Sequence, residues 1–256
     1  MLAILSPSKT LDETSPYPPL RTTQPHFLKE AAALNQLLQR YSEKDLAELM
    51  NISPKLAALN HARNAAFSTT HTQNTARPAL YLFKGDVYDG LDAPSMSAKQ
   101  VTYTNAHIRI LSGLYGILRP LDLIEPYRLE MGTKLASKKG KDLYAFWGSA
   151  LSDMINADAK AMGTDILLNL ASIEYAKALN RKTLKLKEIK VEFKQKRGNK
   201  LQMIALFAKR ARGAMARHLA ETNASSLAEV KAFTSDGYRF DSALSSADSL
   251  VFVRAS

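Results

Sequence analysis

Apolar residues recur along this chain with two different spacings, which separate predicted helices from predicted strands. From Phe27 to Tyr41 they follow the spacing of an amphipathic helix, and two shorter helices are expected at Glu43 to Met50 and Ser53 to Phe67. Short continuous apolar runs predict buried strands instead. The strands predicted in this way are Met1 to Leu5, Ala79 to Phe83, Ile108 to Leu111, Ile166 to Leu170 and Leu250 to Val253.

The second half of the chain adds three elements. They are a helix at Lys141 to Lys160, a hairpin between Glu188 and Phe207 with Gly198-Asn199 at its turn, and a basic helix at Leu206 to Glu221. This mixture of helices and strands, without repeats, predicts the mixed α/β class. We expect one compact body over residues 1–256, with a central mixed sheet, flanking helices and a helical subdomain at about residues 35–70.

The composition restricts the chemistry. Hydrophobic residues make up 46% of the 256 positions, which is enough for a sizeable core. The chain has no cysteine, which excludes disulfides, thiolate nucleophiles and cysteine-ligated metals. It also lacks a membrane-length apolar run and a signal-peptide pattern. We therefore expect a soluble, cytoplasmic protein that does not act on a membrane.

Positive charge is concentrated in the second half of the chain. The formal net charge is +11, and residues 129–256 carry 22 Lys and Arg against 13 Asp and Glu, an excess of nine. Such a field attracts polyanions by releasing their counterions, although many basic proteins bind no nucleic acid specifically. Charge alone leaves phosphate or nucleic-acid binding and a merely basic surface equally open.

The segment from Leu46 to Arg63 has the outline of a helix-hairpin-helix, in which a tight turn presents backbone N–H groups to a DNA phosphate. Asn51 and Ser53 occupy the positions that usually hold glycine, but Asn tolerates a left-handed backbone and Ser caps helices well. The alternative is an ordinary corner between two helices, capped by Ser53. The residues predicted to meet DNA are Asn51, Ile52, Ser53, Lys55 and Arg63.

A run of basic residues is a second candidate DNA contact. Lys177 to Lys200 contains ten Lys and Arg and only two acids. Alternate residues of a strand share a face, so this run predicts a basic stripe that holds phosphates without reading sequence. Charge runs are more often solvated faces, and that alternative stays open. The DNA-binding residues predicted here are Lys185, Lys187, Lys194, Lys196 and Arg197.

The block from Ser112 to Met131 is the strongest candidate for a site. It holds two arginines, three acids and two tyrosines on a backbone interrupted by two glycines and two prolines. Arginine forks bind phosphate or carboxylate and a carboxylate can act as a general base, but the same groups can form a structural network. The candidate acids are Asp122, Glu130 and, after the strand that ends near Asn169, Glu174.

The basic helix contains Gly213, which weakens a helix unless a close neighbour requires it. We therefore predict that the helix packs tightly beside a pocket, with Lys209 and Arg212 on one face. The alternative is a surface helix whose arginines cover apolar neighbours. Dinucleotide, P-loop, zincin and serine-hydrolase motifs are absent, and the five histidines lack metal-ligand spacing, so no cofactor or metal is expected.

Seven blocks of the sequence carry a family resemblance. They are Ser6 to Asp12, Phe83 to Leu91, Ser112 to Met131, Trp147, Asn169 to Tyr175, Phe193-Lys194 and Ala208 to Met215. In this order, and over essentially the whole chain, they resemble the YaaA family of bacterial peroxide stress resistance proteins.

The resemblance implies a cytosolic protein that limits free intracellular iron, and the DNA damage that iron causes, during hydrogen peroxide stress. It also implies a distinctive α/β fold, a positively charged cleft, a helix-hairpin-helix and binding of duplex or branched DNA with little sequence specificity. The absence of glycine from the hairpin departs from the family pattern. The cleft residues expected from these blocks are Lys9, Tyr115, Arg119, Tyr127, Arg128, Asn169, Ser172, Tyr175, Lys209 and Arg212.

Two functions compete for this cleft. One is DNA binding without catalysis; the other is an enzyme acting on a nucleobase, nucleotide or other small anionic, phosphate-bearing ligand. Acids that face an open pocket lined by Lys9 and Arg212 favour the enzyme, whereas acids buried against Arg119 and Arg128 favour a framework. Direct iron sequestration is disfavoured because the chain has no cysteine and no paired His and carboxylate spacing.

Overall fold

A mixed β-sheet forms the centre of the computed structural model, which describes residues 1–198 and 200–255. Within those residues the strands are β1 (Leu2–Leu5), β2 (Thr10–Leu11), β3 (Arg77–Pro78), β4 (Phe83–Lys84), β5 (Ile108–Ser112), β6 (Gly116–Leu118), β7 (Leu123–Ile124), β8 (Ile166–Asn169), β9 (Lys187–Arg197), β10 (Lys200–Gln202), β11 (Arg239–Phe240) and β12 (Ser249–Ala255).

Eight of these strands make the central sheet. Their order is β11-β12-β9-β8-β1-β5-β6, and β10 pairs with β9. The five strands β12, β9, β8, β1 and β5 run parallel, while β11, β6 and β10 are antiparallel to their neighbours. Every residue of β1 and β5 is buried, as expected for parallel strands covered on both faces. The expected compact α/β architecture with a central mixed sheet is confirmed.

Helices cover the sheet and connect its strands. The α-helices of the described residues are α1 (Leu28–Leu38), α2 (Glu43–Met50), α3 (Pro54–Ala66), α4 (Ala79–Leu82), α5 (Asp86–Leu91), α6 (Ala98–His107), α7 (Leu143–Trp147), α8 (Ala150–Met162), α9 (Ile173–Ala176), α10 (Ala205–Thr222) and α11 (Leu227–Lys231), with 3₁₀ turns at Ala93–Ser95 and Ser235–Gly237.

Two glycines bring α5 and α10 into backbone contact. A Cβ atom at Gly213 would lie 1.7 Å from the carbonyl oxygen of Val87, and one at Gly90 would lie 2.1 Å from that of Arg210. Only glycine permits this approach, so the close packing predicted from Gly213 is confirmed. The contact fixes the position of α10, which carries Lys209 and Arg212.

Two sequence predictions change in detail, and a third is confirmed. The strand expected from Ala79 to Phe83 is a helical turn, α4, because all four of its residues are buried and an unbroken apolar run does not distinguish helix from strand. The helix expected at 141–160 is broken at Gly148, whose φ of +53° ends α7 before α8 begins. The hairpin at β9 and β10 is confirmed by pairing of Arg197 with Lys200; the predicted turn residue Asn199 lies outside the described residues.

Candidate functional site

A cleft opens at the carboxyl ends of the central parallel strands. The loop after β1 and the loop after β8 form its floor, and the Ser6 hydroxyl joins them by accepting the Ser172 N–H at 2.8 Å. From β1 the sheet continues through β5 on one side, and from β8 it continues through β9 on the other. The cleft thus lies at a topological switch point, where open α/β sheets commonly bind ligands.

The remaining walls come from distant parts of the chain. The cleft has a volume of about 540 Å³, within the range of small-molecule sites. We call this space the switch-point cleft. Its lining consists of Ser6 to Thr10, Gly85 to Val87, Tyr127 to Glu130, Leu170, Ser172, Glu174, Tyr175, Lys209 and Arg212.

Opposite charges alternate around the cleft. Glu130 accepts ion pairs from Lys9 at 2.6 Å and from Arg128 at 3.2 Å. Lys209 lies 3.9 Å from Asp86 on the opposite wall. The lining therefore carries four cations and three carboxylates, of which Glu174 is the third. This near balance differs from the uniformly positive groove that would suit a nucleic-acid backbone.

Arg212 differs from the other three cations of the cleft in its contacts. It forms no ion pair with a described residue, and its Nε–H is buried without an acceptor. Burial lowers the pKa of its guanidinium because the charged form loses hydration.

Buried tyrosines supply neutral hydroxyl groups. Tyr127 shares a 2.6 Å hydrogen bond with the Ser112 hydroxyl, and the Tyr88 hydroxyl donates to the Ser6 carbonyl at 3.1 Å. Burial raises the pKa of Tyr88, Tyr127 and Tyr175 well above its ordinary value. These phenols are protonated at neutral pH, and the two that line the cleft, Tyr127 and Tyr175, can orient a ligand by hydrogen bonding.

Seven of the ten residues predicted for the cleft line it, and three do not. Tyr115 is fully buried, and its hydroxyl accepts the Glu125 N–H at 3.1 Å. Arg119 pairs with Asp122, and the Asn169 side chain donates to Glu188 at 2.7 Å. The residues that meet in the cleft are Lys9, Tyr127, Arg128, Ser172, Tyr175, Lys209 and Arg212.

The three candidate acids have different surroundings. Asp122 is 1% exposed, outside the cleft lining, and accepts hydrogen bonds from Thr23 at 2.6 Å and from the Arg119 N–H at 2.8 Å. Burial raises its pKa, opposed by these bonds and by the Arg119 charge. Glu174 faces the cleft and accepts the Gly132 N–H at 2.8 Å. Glu130 is thus the carboxylate of the central block that faces the cleft.

The comparisons with known proteins agree with the resemblance carried by the sequence blocks. A family model described as "Peroxide stress protein YaaA" matches residues 1–244. The chain belongs to the YaaA family. Among its relatives are UPF0246 proteins of Aliivibrio fischeri strain MJ11 and of Aliivibrio fischeri strain ATCC 700601 / ES114. Each is 47% identical over 254 residues, which cover 99% of this chain and 98% of the relative.

The predicted hairpin of this YaaA-family chain consists of α2, a three-residue turn and α3. Asn51 adopts the left-handed conformation with φ of +50°, and the Ser53 hydroxyl caps α3 by accepting the Leu56 N–H at 3.4 Å. Ile52 packs partly against the core, Lys55 is exposed, and Arg63 pairs with Glu13. A corner between two helices with a Ser53 cap has the same local geometry, so both the helix-hairpin-helix and its contact with DNA stay predictions.

The predicted basic stripe divides between two faces of β9. Lys194 and Lys196 lie on an open face together with Glu188 and Glu192. Lys187 and Arg197 lie at the two ends of the opposite face, whose central residues are buried. Glu192 lies 3.1 Å from Lys194, and Glu188 lies 3.1 Å from Arg181. Lys185 precedes the strand and is exposed. The acids among these lysines leave only a small net charge on the open face.

A second run of basic residues begins at the cleft wall, in a segment that the sequence reasoning passed over. Residues 132–142, which we call the lysine loop, carry four exposed lysines that form no ion pair with a described residue. The Gly132 N–H that binds Glu174 anchors the loop at the cleft wall. Its sequence signal is a cluster of lysines without an intervening acid: Lys134, Lys138, Lys139 and Lys141.

Two other features are absent from the part of the chain that the structure describes. Among residues 1–198 and 200–255 there is no group of three or more His, Cys, Asp or Glu side chains arranged to hold a metal ion. Within the same residues, no helix combines the length and the apolar character that crossing a membrane requires.

Proposed function

We propose that this YaaA-family protein binds DNA during hydrogen peroxide stress and thereby limits oxidative DNA damage. The main support for DNA binding is the lysine loop, whose four exposed cations have no carboxylate partner among the described residues. Contacts between lysines and phosphates release counterions and need no base readout. Duplex or branched DNA would lie across the mouth of the switch-point cleft, along this loop. The description of the family as peroxide stress proteins supports the biological setting.

The lysine loop makes a testable contribution to DNA affinity. We expect the triple variant Lys134→Gln, Lys138→Gln and Lys141→Gln to bind duplex and four-way junction DNA about tenfold more weakly, or worse, at about 100 mM salt, because phosphate contacts are lost. Fluorescence anisotropy measures the change. Lys139 is left in place because its ammonium lies 4.5 Å from the centre of the Phe146 ring.

A second triple variant controls for net charge. Lys29, Lys99 and Lys160 are exposed and lie on other elements, α1, α6 and α8, and replacing them with glutamine removes the same number of charges. We expect this variant to keep its affinity within about twofold, because distant exposed charges are largely screened at this salt concentration. Equal losses in the two triple variants would refute a localised DNA surface.

The turn between α2 and α3 is a second proposed DNA contact. In the first turn of α3, Pro54 has no N–H and the Leu56 N–H donates to Ser53, so the Lys55 N–H is the first-turn donor left for a phosphate, at the positive end of the helix dipole. The Lys55 side chain is exposed beside it. A Lys55→Gln variant, compared with Lys29→Gln, measures this contribution in the same assay. Matching affinities would place the turn outside the contact surface.

The proposal also includes that the protein limits free intracellular iron, which is measured in cells. In a bacterial strain that lacks its own family member, the wild-type chain should restore survival in peroxide and lower the free iron detected by electron paramagnetic resonance. The triple lysine-loop variant should restore neither fully. Full rescue by that variant would separate protection from DNA binding.

Glu130 supports a second candidate function, catalysis on a nucleotide or another phosphate-bearing substrate. Its carboxylate faces the cleft between Lys9 and Arg128, where it could act as a general base. If the cleft is catalytic, Glu130→Gln should abolish peroxide protection while DNA affinity stays within twofold of the wild type. If DNA binding alone protects, the variant should protect as well as the wild type, and catalysis by Glu130 is ruled out.

A further inference from the structure

Arg212 lacks the partner that other arginines of the fold possess. Arg109 pairs with Asp158 at 2.6 Å, and Arg128 pairs with Glu130 at 3.2 Å. Arg212 has no such partner among the described residues, although its Nε–H is completely buried. Removing a charge from water without supplying a counter-charge is unfavourable. An anion bound in the cleft would supply the missing partner.

A second unsatisfied donor lies in the same cleft. The Nε–H of Arg128 is also buried without an acceptor, because Glu130 contacts only the terminal nitrogen of that guanidinium. Both arginines line the switch-point cleft. Five arginines of the described residues have a buried Nε–H without an acceptor, and Arg128 and Arg212 are the two of them that line the same cavity. Two such donors facing one cavity point to a ligand with oxygen acceptors.

The backbone holds Arg212 in place before any ligand arrives. Gly213, the next residue, packs directly against the carbonyl of Val87, and Gly90 packs against the carbonyl of Arg210. This contact restricts sliding and rotation of α10 relative to α5. A donor fixed in this way loses little conformational freedom on binding, which favours affinity for a small anion.

The size and charge of the cleft favour a small molecule over DNA. A volume of about 540 Å³ accommodates a mononucleotide-sized ligand but not a duplex. Asp86, Glu130 and Glu174 share the lining and would repel a continuous phosphate backbone. A compact ligand can place one anionic group on the arginines and keep its other parts near the carboxylates and tyrosines.

We propose that Arg212 and Arg128 bind the anionic group, phosphate or carboxylate, of a small molecule held in the switch-point cleft. This site is separate from the DNA surface on the lysine loop, so the proposal does not rest on DNA binding. Arg212 contributes an uncompensated charge, and Arg128 contributes its free Nε–H while its terminal nitrogen holds Glu130.

Titration calorimetry on the full chain tests the proposal. The probes are inorganic phosphate, adenosine monophosphate and citrate, at constant ionic strength. We expect 1:1 binding of at least one probe, weakened at least tenfold by Arg212→Gln. Preference for adenosine monophosphate over phosphate would assign a nucleotide source, preference for phosphate a free oxyanion, and preference for citrate a carboxylate. Failure of all three probes to bind the wild type below about 10 mM would overturn the proposal.

Arg210→Gln is the matched control. Arg210 lies on the same helix but is exposed, pairs with Asp236 at 3.4 Å and does not line the cleft. Its substitution should leave probe affinity unchanged, and both variants should keep wild-type DNA affinity. Arg212→Gln should also melt at the same temperature as the wild type or higher, because it removes an uncompensated buried charge. A lower melting temperature for Arg212→Gln, or unchanged probe affinity, would identify a structural arginine instead.

Discussion

Gly213→Ala should destabilise the protein by about 3 kcal/mol or more, a change large enough to impair folding of a marginally stable domain. The added methyl carbon would lie 1.7 Å from the Val87 carbonyl oxygen and 2.8 Å from the Leu91 nitrogen, and both are backbone atoms. Neither can rotate away as a side chain would. The helices α5 and α10 must therefore separate, which exposes apolar surface between them.

The direction of the stability change distinguishes this prediction from the ordinary effect of a Gly-to-Ala substitution. In a solvent-exposed helix, replacing glycine with alanine raises stability by about 1 kcal/mol, since alanine is the better helix former. Chemical denaturation or thermal melting measures the outcome for Gly213→Ala. An unchanged or higher melting temperature would mean that the two helices are not in backbone contact in solution. A variant that stays folded should still lose probe affinity in the cleft, because α10 carries Arg212.

Asp122→Asn should lower the free energy of unfolding by about 2–3 kcal/mol. The carboxylate of Asp122 is buried and accepts hydrogen bonds from Thr23 and from the backbone and side chain of Arg119. An amide presents an N–H group to at least one of these donors. Urea denaturation at neutral pH measures the loss.

Glu130→Gln is the matched carboxylate control for stability. Its side chain is 24% exposed and its partner Lys9 is 61% exposed, so that ion pair contributes about 1 kcal/mol or less. The glutamine carbonyl oxygen can still accept the hydrogen bond from the terminal nitrogen of Arg128, its less exposed partner. We expect Glu130→Gln to be close to wild type in stability and Asp122→Asn to be clearly weaker. Equal stability of the two variants would contradict the framework role of Asp122 in holding Arg119 and the loop at Thr23.

Much of the sheet was predictable because its strands are buried on both faces. The runs at 1–5, 108–111 and 166–170 are short, continuous and apolar, and they form β1, β5 and β8, respectively. These three strands are neighbours in the sheet, with β1 between β8 and β5. Periodicity failed at Ala79 to Leu82, where complete burial removes the contrast between helix and strand. The break at Gly148 depends on a positive φ that no apolar spacing reveals.

The cleft was predictable only in part, because its walls come from distant segments. Lys209 and Arg212 follow from the glycine-containing helix, and Ser172 follows from a strand end. Local sequence does not show that Arg119 turns toward Asp122 while Arg128 turns toward the cleft, since the difference depends on how the central block threads through β6 and β7. Ion pairing likewise decides which basic residues of the β9 run are compensated: Lys187 and Lys194 have carboxylate partners, whereas Lys196 and Arg197, like the lysine loop, have none among the described residues.

The two proposed anion-binding surfaces differ in how their charges are arranged. The lysine loop presents unpaired cations to solvent, which suits a polyanion whose affinity depends on salt. The switch-point cleft alternates its charges and buries two unsatisfied arginine donors, which suits a single small anion. DNA bound across the cleft mouth and a small molecule bound inside would then respond to different substitutions.

The salt dependence of DNA affinity tests the proposed DNA surface most directly. Duplex binding is measured between about 50 and 200 mM salt for the wild type, the triple lysine-loop variant and the triple control variant. Each lost phosphate contact lowers the slope of log K against log salt by about 0.9, so the lysine-loop variant should have a slope about 2.7 smaller in magnitude. The control should match the wild type. A single shared slope for all three proteins, or undetectable binding by the wild type, would contradict the proposed surface.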